Sequence, residues 1–239
     1  MTAAKTETRA EREAQFRYGA VFLIVLTLLV FEVLTPDTDW ARAGAIALAA
    51  AALSVVIGTS RERRAVRRRR TLTTSAVAIV IVVAVGTGLL SAEVAFLVGT
   101  VLLAAVPIAL SGGLLRLIQQ RGVTLQVVAG ALAIYLLVGL LFASVISFVS
   151  HVENGSYFSQ TLHPANGVRV YYSFTVLTTT GFGDYTAAHS SGRALAVLEM
   201  LTGQLYLVTV IGLVVGNYAG RRPARETSQH PSGRNREET

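Results

Sequence analysis

Six long apolar blocks dominate the chain, at about 18–35, 41–59, 72–90, 94–114, 123–149 and 193–218. Each approaches the roughly 20 residues that a helix needs to cross about 30 Å of hydrocarbon at about 1.5 Å per residue. The apolar residues run in blocks and lack the rhythm of a half-buried surface helix. Only 15% of residues are charged, against about 25% in an ordinary soluble domain. The expectation is an all-α membrane protein with six transmembrane helices.

Basic residues set the orientation. With the N-terminus in the cytoplasm and sides alternating, the inner segments hold Lys5, Arg9, Arg12, Arg17, Arg61, Arg63, Arg64, Arg67 to Arg70, Arg116, Arg121, Arg221, Arg222, Arg225, Arg234 and Arg236. Only Arg42, Arg169 and Arg193 fall outside. That asymmetry follows the positive-inside rule and predicts both termini in the cytoplasm of a multi-pass protein of the cell inner (plasma) membrane. The net charge of +7 is therefore read as topology, with no nucleic-acid partner. Arg61 to Arg70 is a topology anchor or a site for anionic lipid headgroups.

Met1 to Arg17 is polar and lacks the pattern of a cleavable leader, so the first span is expected to stay in the mature protein. With no cysteine in the sequence, neither a disulfide framework nor a thiolate metal site is available. His151, His163, His189 and His230 lack metal-ligand spacing. No catalytic constellation emerges, so no enzyme activity and no cofactor are expected.

The connection between the fifth and sixth blocks is not uniformly polar. Ser150 to Gly167 is hydrophilic, and Val168 to Leu177 then turns apolar and aromatic. A helix of that length reaches only about half way across a bilayer, so it must enter and return on one side. The fold expected between the fifth and sixth transmembrane helices is therefore a re-entrant half-length helix followed by a returning loop. Non-helical backbone at that depth survives only when it is buried in protein or lines an aqueous cavity.

The returning segment, Thr178 to Asp184, reads Thr-Thr-Thr-Gly-Phe-Gly-Asp. Gly181 and Gly183 permit the positive φ values that turn successive carbonyls toward one side. The Thr179 hydroxyl adds an acceptor at the inner end, Phe182 wedges the loop against the half-helix, and Asp184 brings a carboxylate to the outer mouth. The half-helix aims its partly negative C-terminal end inward, which favours a cation.

Tyr171-Tyr172-Ser173-Phe174-Thr175-Val176-Leu177 followed by Thr178 to Asp184 resembles the pore helix and selectivity filter of bacterial potassium channels. The resemblance covers roughly 123–218 and includes Gly192-Arg193. It implies a homotetramer around one pore, with potassium as permeant ion held by the backbone of Thr179, Thr180, Gly181, Phe182 and Gly183 and by the Thr179 hydroxyl. It further implies filter support from Tyr171, Tyr172, Thr175, Thr178 and Glu199, and a gating hinge at Gly203. Gln204, Leu207, Ile211 and Val215 would line the cavity. Two departures from the common Thr-Val-Gly-Tyr-Gly pattern stand out. Phe182 replaces tyrosine and Thr180 replaces valine or isoleucine. A buried hydroxyl at Thr180 needs a partner or costs about 1–3 kcal/mol, and Thr175 is the expected one.

Glu199 is the ionisable residue well inside a span, which makes function the default reading. It is either a satisfied structural carboxyl or a proton-sensitive group bonded to the pore helix. Gly203, Gly212 and Gly216 allow close helix contact, and bending is expected only at Gly203.

These readings divide the chain into a cytoplasmic tail (1–17), a four-helix transmembrane domain (18–121), a pore domain (122–219) and a disordered cytoplasmic tail (220–239). The four-helix domain resembles a voltage sensor without gating arginines, since 94–114 contains no arginine. Residues 111–122 form an inner link that could be an interfacial helix. Passive potassium conduction with weak or no voltage dependence is the leading expectation. The alternatives are a poorly selective monovalent cation leak, a subunit of a potassium-uptake transporter, and a non-conducting scaffold.

Overall fold

A computed structural model describes residues 2–58, 76, 79–87, 89, 92–152 and 157–219. Arg61 to Arg70, the tail 220–239 and most of 72–78 lie outside the described residues. The named helices are α1 (Thr2–Leu34), α2 (Asp39–Gly58), α3 (Ala92–Arg121), α4 (Leu125–Val152), α5 (Asn166–Leu177), α6 (Ser190–Leu205) and α7 (Gly212–Ala219), with a π-helical segment, Tyr206–Ile211, between the last two. Residues 79–86 are also helical. No strand occurs among the described residues, only an isolated antiparallel bridge between Phe158 and Ala187.

Among the described residues, three stretches are long and apolar enough to cross a membrane: Leu97–Gln119, Leu125–Ser150 and Ser190–Gly216. Shorter apolar helices cover Tyr18–Leu34 and Trp40–Val56. This is a membrane protein built from apolar helices. The link expected at 111–122 is not a separate element, because α3 runs unbroken to Arg121. Gly122 ends it with a φ of 67°, and its N–H caps the Ile118 carbonyl at 2.8 Å, a left-handed stop that glycine adopts without strain.

The core lies among α1 to α4. Val21, Val25 and Leu28 of α1 meet Ala49 and Ala52 of α2, Val106 and Leu110 of α3, and Val127 and Leu137 of α4. The alanines let α2 approach closely, as small residues do in apolar surroundings. Hydroxyls within the spans donate back to their own helix, for example Ser54 to the Ala50 carbonyl and Ser147 to the Ala143 carbonyl. Such back-bonding satisfies polar groups where water is absent. Between spans, the hydroxyls of Thr100 in α3 and Ser144 in α4 meet at 2.6 Å.

A second cluster frames the other end of the chain. Tyr157, Phe158, Tyr172, Val176 and Ala187 pack with Ile146 of α4. Ser159 N–H donates to the Thr186 carbonyl at 3.0 Å and Ala188 N–H to the Tyr157 carbonyl at 2.9 Å. The strand-like pairing ties the segment before α5 to the segment after the 178–184 loop. Tyr157 Oη completes the tie by donating to the Gly192 carbonyl of α6 at 3.1 Å.

Candidate functional site

The 12-residue helix α5 ends where the threonine run begins. Thr178 N–H still donates to the Phe174 carbonyl at 3.1 Å, and Thr179 N–H to Val176 O at 2.9 Å. The chain then leaves the helix and folds back, with Gly181 N–H donating to the Thr175 carbonyl at 3.1 Å. Thr175 thus supports the loop through its backbone. Its hydroxyl donates to Tyr172 O within its own helix at 2.8 Å.

Thr180 therefore does not use the expected partner. Its hydroxyl meets that of Thr178 at 2.9 Å, and Thr178 Oγ1 also donates to the Phe174 carbonyl at 2.7 Å. The correction has a simple cause. Two residues along a curled loop are closer than one turn back, where the helix's own carbonyl has already taken the Thr175 proton.

Positive φ angles occur at Thr179 (57°), Gly181 (50°) and Gly183 (80°), alternating with ordinary values at Thr180 and Phe182. Alternation of this kind rotates successive peptide planes so that carbonyls no longer point to opposite sides. Glycine takes such angles freely. Thr179 does not: a β-branched residue in the left-handed region costs roughly 1–2 kcal/mol and persists only where the surroundings impose it. Gln204 Nε2 donates to Thr179 Oγ1 at 2.9 Å, tying the start of the loop to α6.

Two aromatic layers back the later part of the loop. The Phe182 ring stacks on Tyr171, with centroids 6.3 Å apart and planes within 4°, and Tyr171 meets Tyr185 edge-on. Tyr172 is turned away, buried edge-to-face against Phe158 and Tyr157. Asp184 lies exposed at the end of the loop, and its Oδ1 accepts from Tyr185 N–H at 3.1 Å.

Behind the loop three helices meet at one serine. Ser173 of α5 and Glu199 of α6 are both fully buried. Ser173 Oγ lies 2.5 Å from Glu199 Oε1 and 2.7 Å from the Gly139 carbonyl of α4. Gly203, one turn along α6, presses on the same wall, and a Cβ there would collide with the Leu177 carbonyl oxygen. Its absent side chain thus serves a close approach inside a regular helix. The departure from α geometry comes later, in the segment Tyr206–Ile211, where Tyr206 Oη donates to Ala131 O at 2.6 Å.

That segment also changes the stripe expected at Gln204, Leu207, Ile211 and Val215. A π turn holds an extra residue, so spacing by threes and fours no longer stays on one face. Ile211 packs partly against the core together with Tyr206 and Val210. Gln204 and Val215 are exposed, and so is Val208, which the regular spacing did not select.

Residues that sequence reasoning passed over include Ser173, Gly139, Tyr157, Phe158, Tyr206 and Arg169. Arg169, counted as an outer basic residue, is buried and salt-bridged to Asp37 at 2.7 Å.

Helices α4 and α6 both pack on the short helix α5, and the loop that follows it turns back through residues of positive φ. Residues 131–218 match the family model described as Ion channel. This segment belongs to the potassium channel superfamily, as an ion-channel pore domain of the potassium-channel type. The helices before residue 131 lie outside the match. Comparison with curated proteins and with solved structures found no match.

Proposed function

We propose that four copies of this chain surround a single pore and conduct potassium passively across a prokaryotic plasma membrane. The observation that carries this reading is the alternation of positive φ at Thr179, Gly181 and Gly183. Carbonyls gathered on one side of a loop can replace an ion's hydration shell only if other copies close the ring, because one ladder covers one side. The ion ligands in this reading are the backbone carbonyls of the Thr179 to Gly183 stretch and the Thr179 hydroxyl. Asp184 guards the outer mouth, while Gln204 and Val215 face the cavity. The exposed apolar row Val197, Leu198, Leu201 and Leu205 on α6 is available for neighbouring subunits.

In this reading α5 re-enters and six spans cross, with both termini inside. The α1–α2 turn sits beside the N-terminal end of α5, through contacts of Asp37 with Arg169 and Glu32 with Asn166. Their common end supports the alternation of sides. Without arginines in 94–114, the first helices carry little gating charge, so opening is weakly dependent on voltage. Anionic lipid headgroups are the proposed partner of Arg61 to Arg70, and no catalytic chemistry or cofactor is assigned.

A second reading, a less selective cation leak, rests on the Thr178–Thr180 hydroxyl contact, which adds polar groups beside the filter backbone. Purified protein reconstituted in vesicles decides the main point. Barium-blockable potassium flux from an assembly of four subunits supports it. A non-conducting protein, or a conducting monomer, overturns it.

A further inference from the structure

The first turn of α5 is bound to the far end of the chain. Arg169 is only 4% exposed, and its guanidinium is shared between two partners. Nη1 donates to the Pro164 carbonyl at 2.8 Å and Nη2 to Asp37 Oδ2 in the α1–α2 turn at 2.7 Å. A planar guanidinium suits such a double engagement. One turn away, Asn166 Nδ2 donates to the Glu32 carbonyl at 3.2 Å and also meets the Glu32 carboxylate. Between them Gly167 lies flat on α1, where a Cβ would sit 2.6 Å from the Val33 carbonyl oxygen.

These contacts involve charge, neutral hydrogen bonding and bare backbone, and they converge on the same turn. A buried guanidinium is costly unless its partner stays in place, so Asp37 is part of the arrangement and not an incidental surface charge. The other end of α5 delivers the filter: Thr178 and Thr180 share hydroxyls there, and Thr175 receives the Gly181 N–H. A short rigid helix fixed at its N-terminus transmits any displacement to its C-terminus.

We infer that the outer ends of α1 and the α1–α2 turn clamp α5 through Arg169–Asp37, Asn166–Glu32 and Gly167, so that the N-terminal helices position the filter. This inference rests on the channel reading above. It gives the first helices a task that needs no gating charge. Arg169 is then a positioning residue: it acts on the filter through α5 and touches no ion.

The test is a double-mutant cycle on the full-length reconstituted protein, using Asp37→Asn, Arg169→Gln and both together. Barium-blocked flux from the wild type is measured first, and its absence overturns the channel reading and this inference together. With flux established, the readouts are single-channel open lifetime and the sodium-to-potassium permeability ratio, taken on assemblies of wild-type size. Each single change is expected to shorten open lifetime about tenfold, and the double change to do little more than either, as coupled partners require. Gly167→Ala probes the same seam without touching a charge and is expected to shift both readouts the same way. Multiplying effects in the double variant, or wild-type behaviour of Gly167→Ala, overturn the clamp while leaving the channel reading intact.

Discussion

Ser173 Oγ and Glu199 Oε1 lie 2.5 Å apart, and the same serine oxygen is 2.7 Å from the Gly139 carbonyl. A hydroxyl has one proton and a carbonyl can only accept. Both contacts are satisfied together when the serine donates to Gly139 and receives a proton from position 199. The junction fastens α6 and α4 to α5 directly behind the 178–184 loop.

Glu199→Gln is accordingly expected to keep the junction, because the amide can donate to Ser173. Assembly stability should stay within about 1 kcal/mol of wild type. Glu199→Ala removes the donor and leaves a void, and should cost about 2–5 kcal/mol by analogy with other large-to-small changes. Thermal dissociation of the detergent-solubilised oligomer compares the two. Equal losses would contradict the hydrogen-bond account.

Thr180→Val should be tolerated. Thr178 keeps its 2.7 Å bond to the Phe174 carbonyl when its contact with Thr180 is lost, so the change is expected within about 1 kcal/mol. Potassium flux should persist, with selectivity against sodium equal to or higher than that of the wild type. Ion-replacement recordings check this. A channel made less selective by the valine would show that the hydroxyl contact itself maintains the filter.

At Gly203 packing and bending make different forecasts. Gly203→Ala must displace the Leu177 carbonyl, an overpacking expected to cost about 1–3 kcal/mol in assembly stability. Gly212→Ala meets only the Leu207 carbonyl at 3.9 Å and should be neutral or gain up to about 1 kcal/mol from helix propensity. Thermal dissociation of both variants separates them. A Gly203→Ala protein of wild-type stability with altered opening alone would restore the hinge expected from sequence.

What the sequence made legible was local. The half-length helix, the loop after it, and glycines at 181 and 183 follow from apolar run lengths and from the one residue that accepts positive φ freely. Contacts across long separations were not legible. Nothing in the residues near Arg169 points to Asp37, and an arginine that sets topology has the same composition as one buried in a salt bridge. Thr179 was hidden for the opposite reason: its left-handed backbone contradicts the preference of threonine, so only the folded surroundings reveal it. The π segment Tyr206–Ile211 left no mark either, since its residue types serve an α-helix equally well, and the stripe containing Ile211 shifted with it.

The central claim is that the Thr179 to Gly183 backbone, closed by four copies, selects potassium. Bi-ionic reversal potential of the purified, reconstituted protein measures this most directly, with sodium on one side and potassium on the other. The account predicts a large potential driven by potassium permeability and abolished by barium. A potential near zero, with sodium and potassium passing equally, would contradict it.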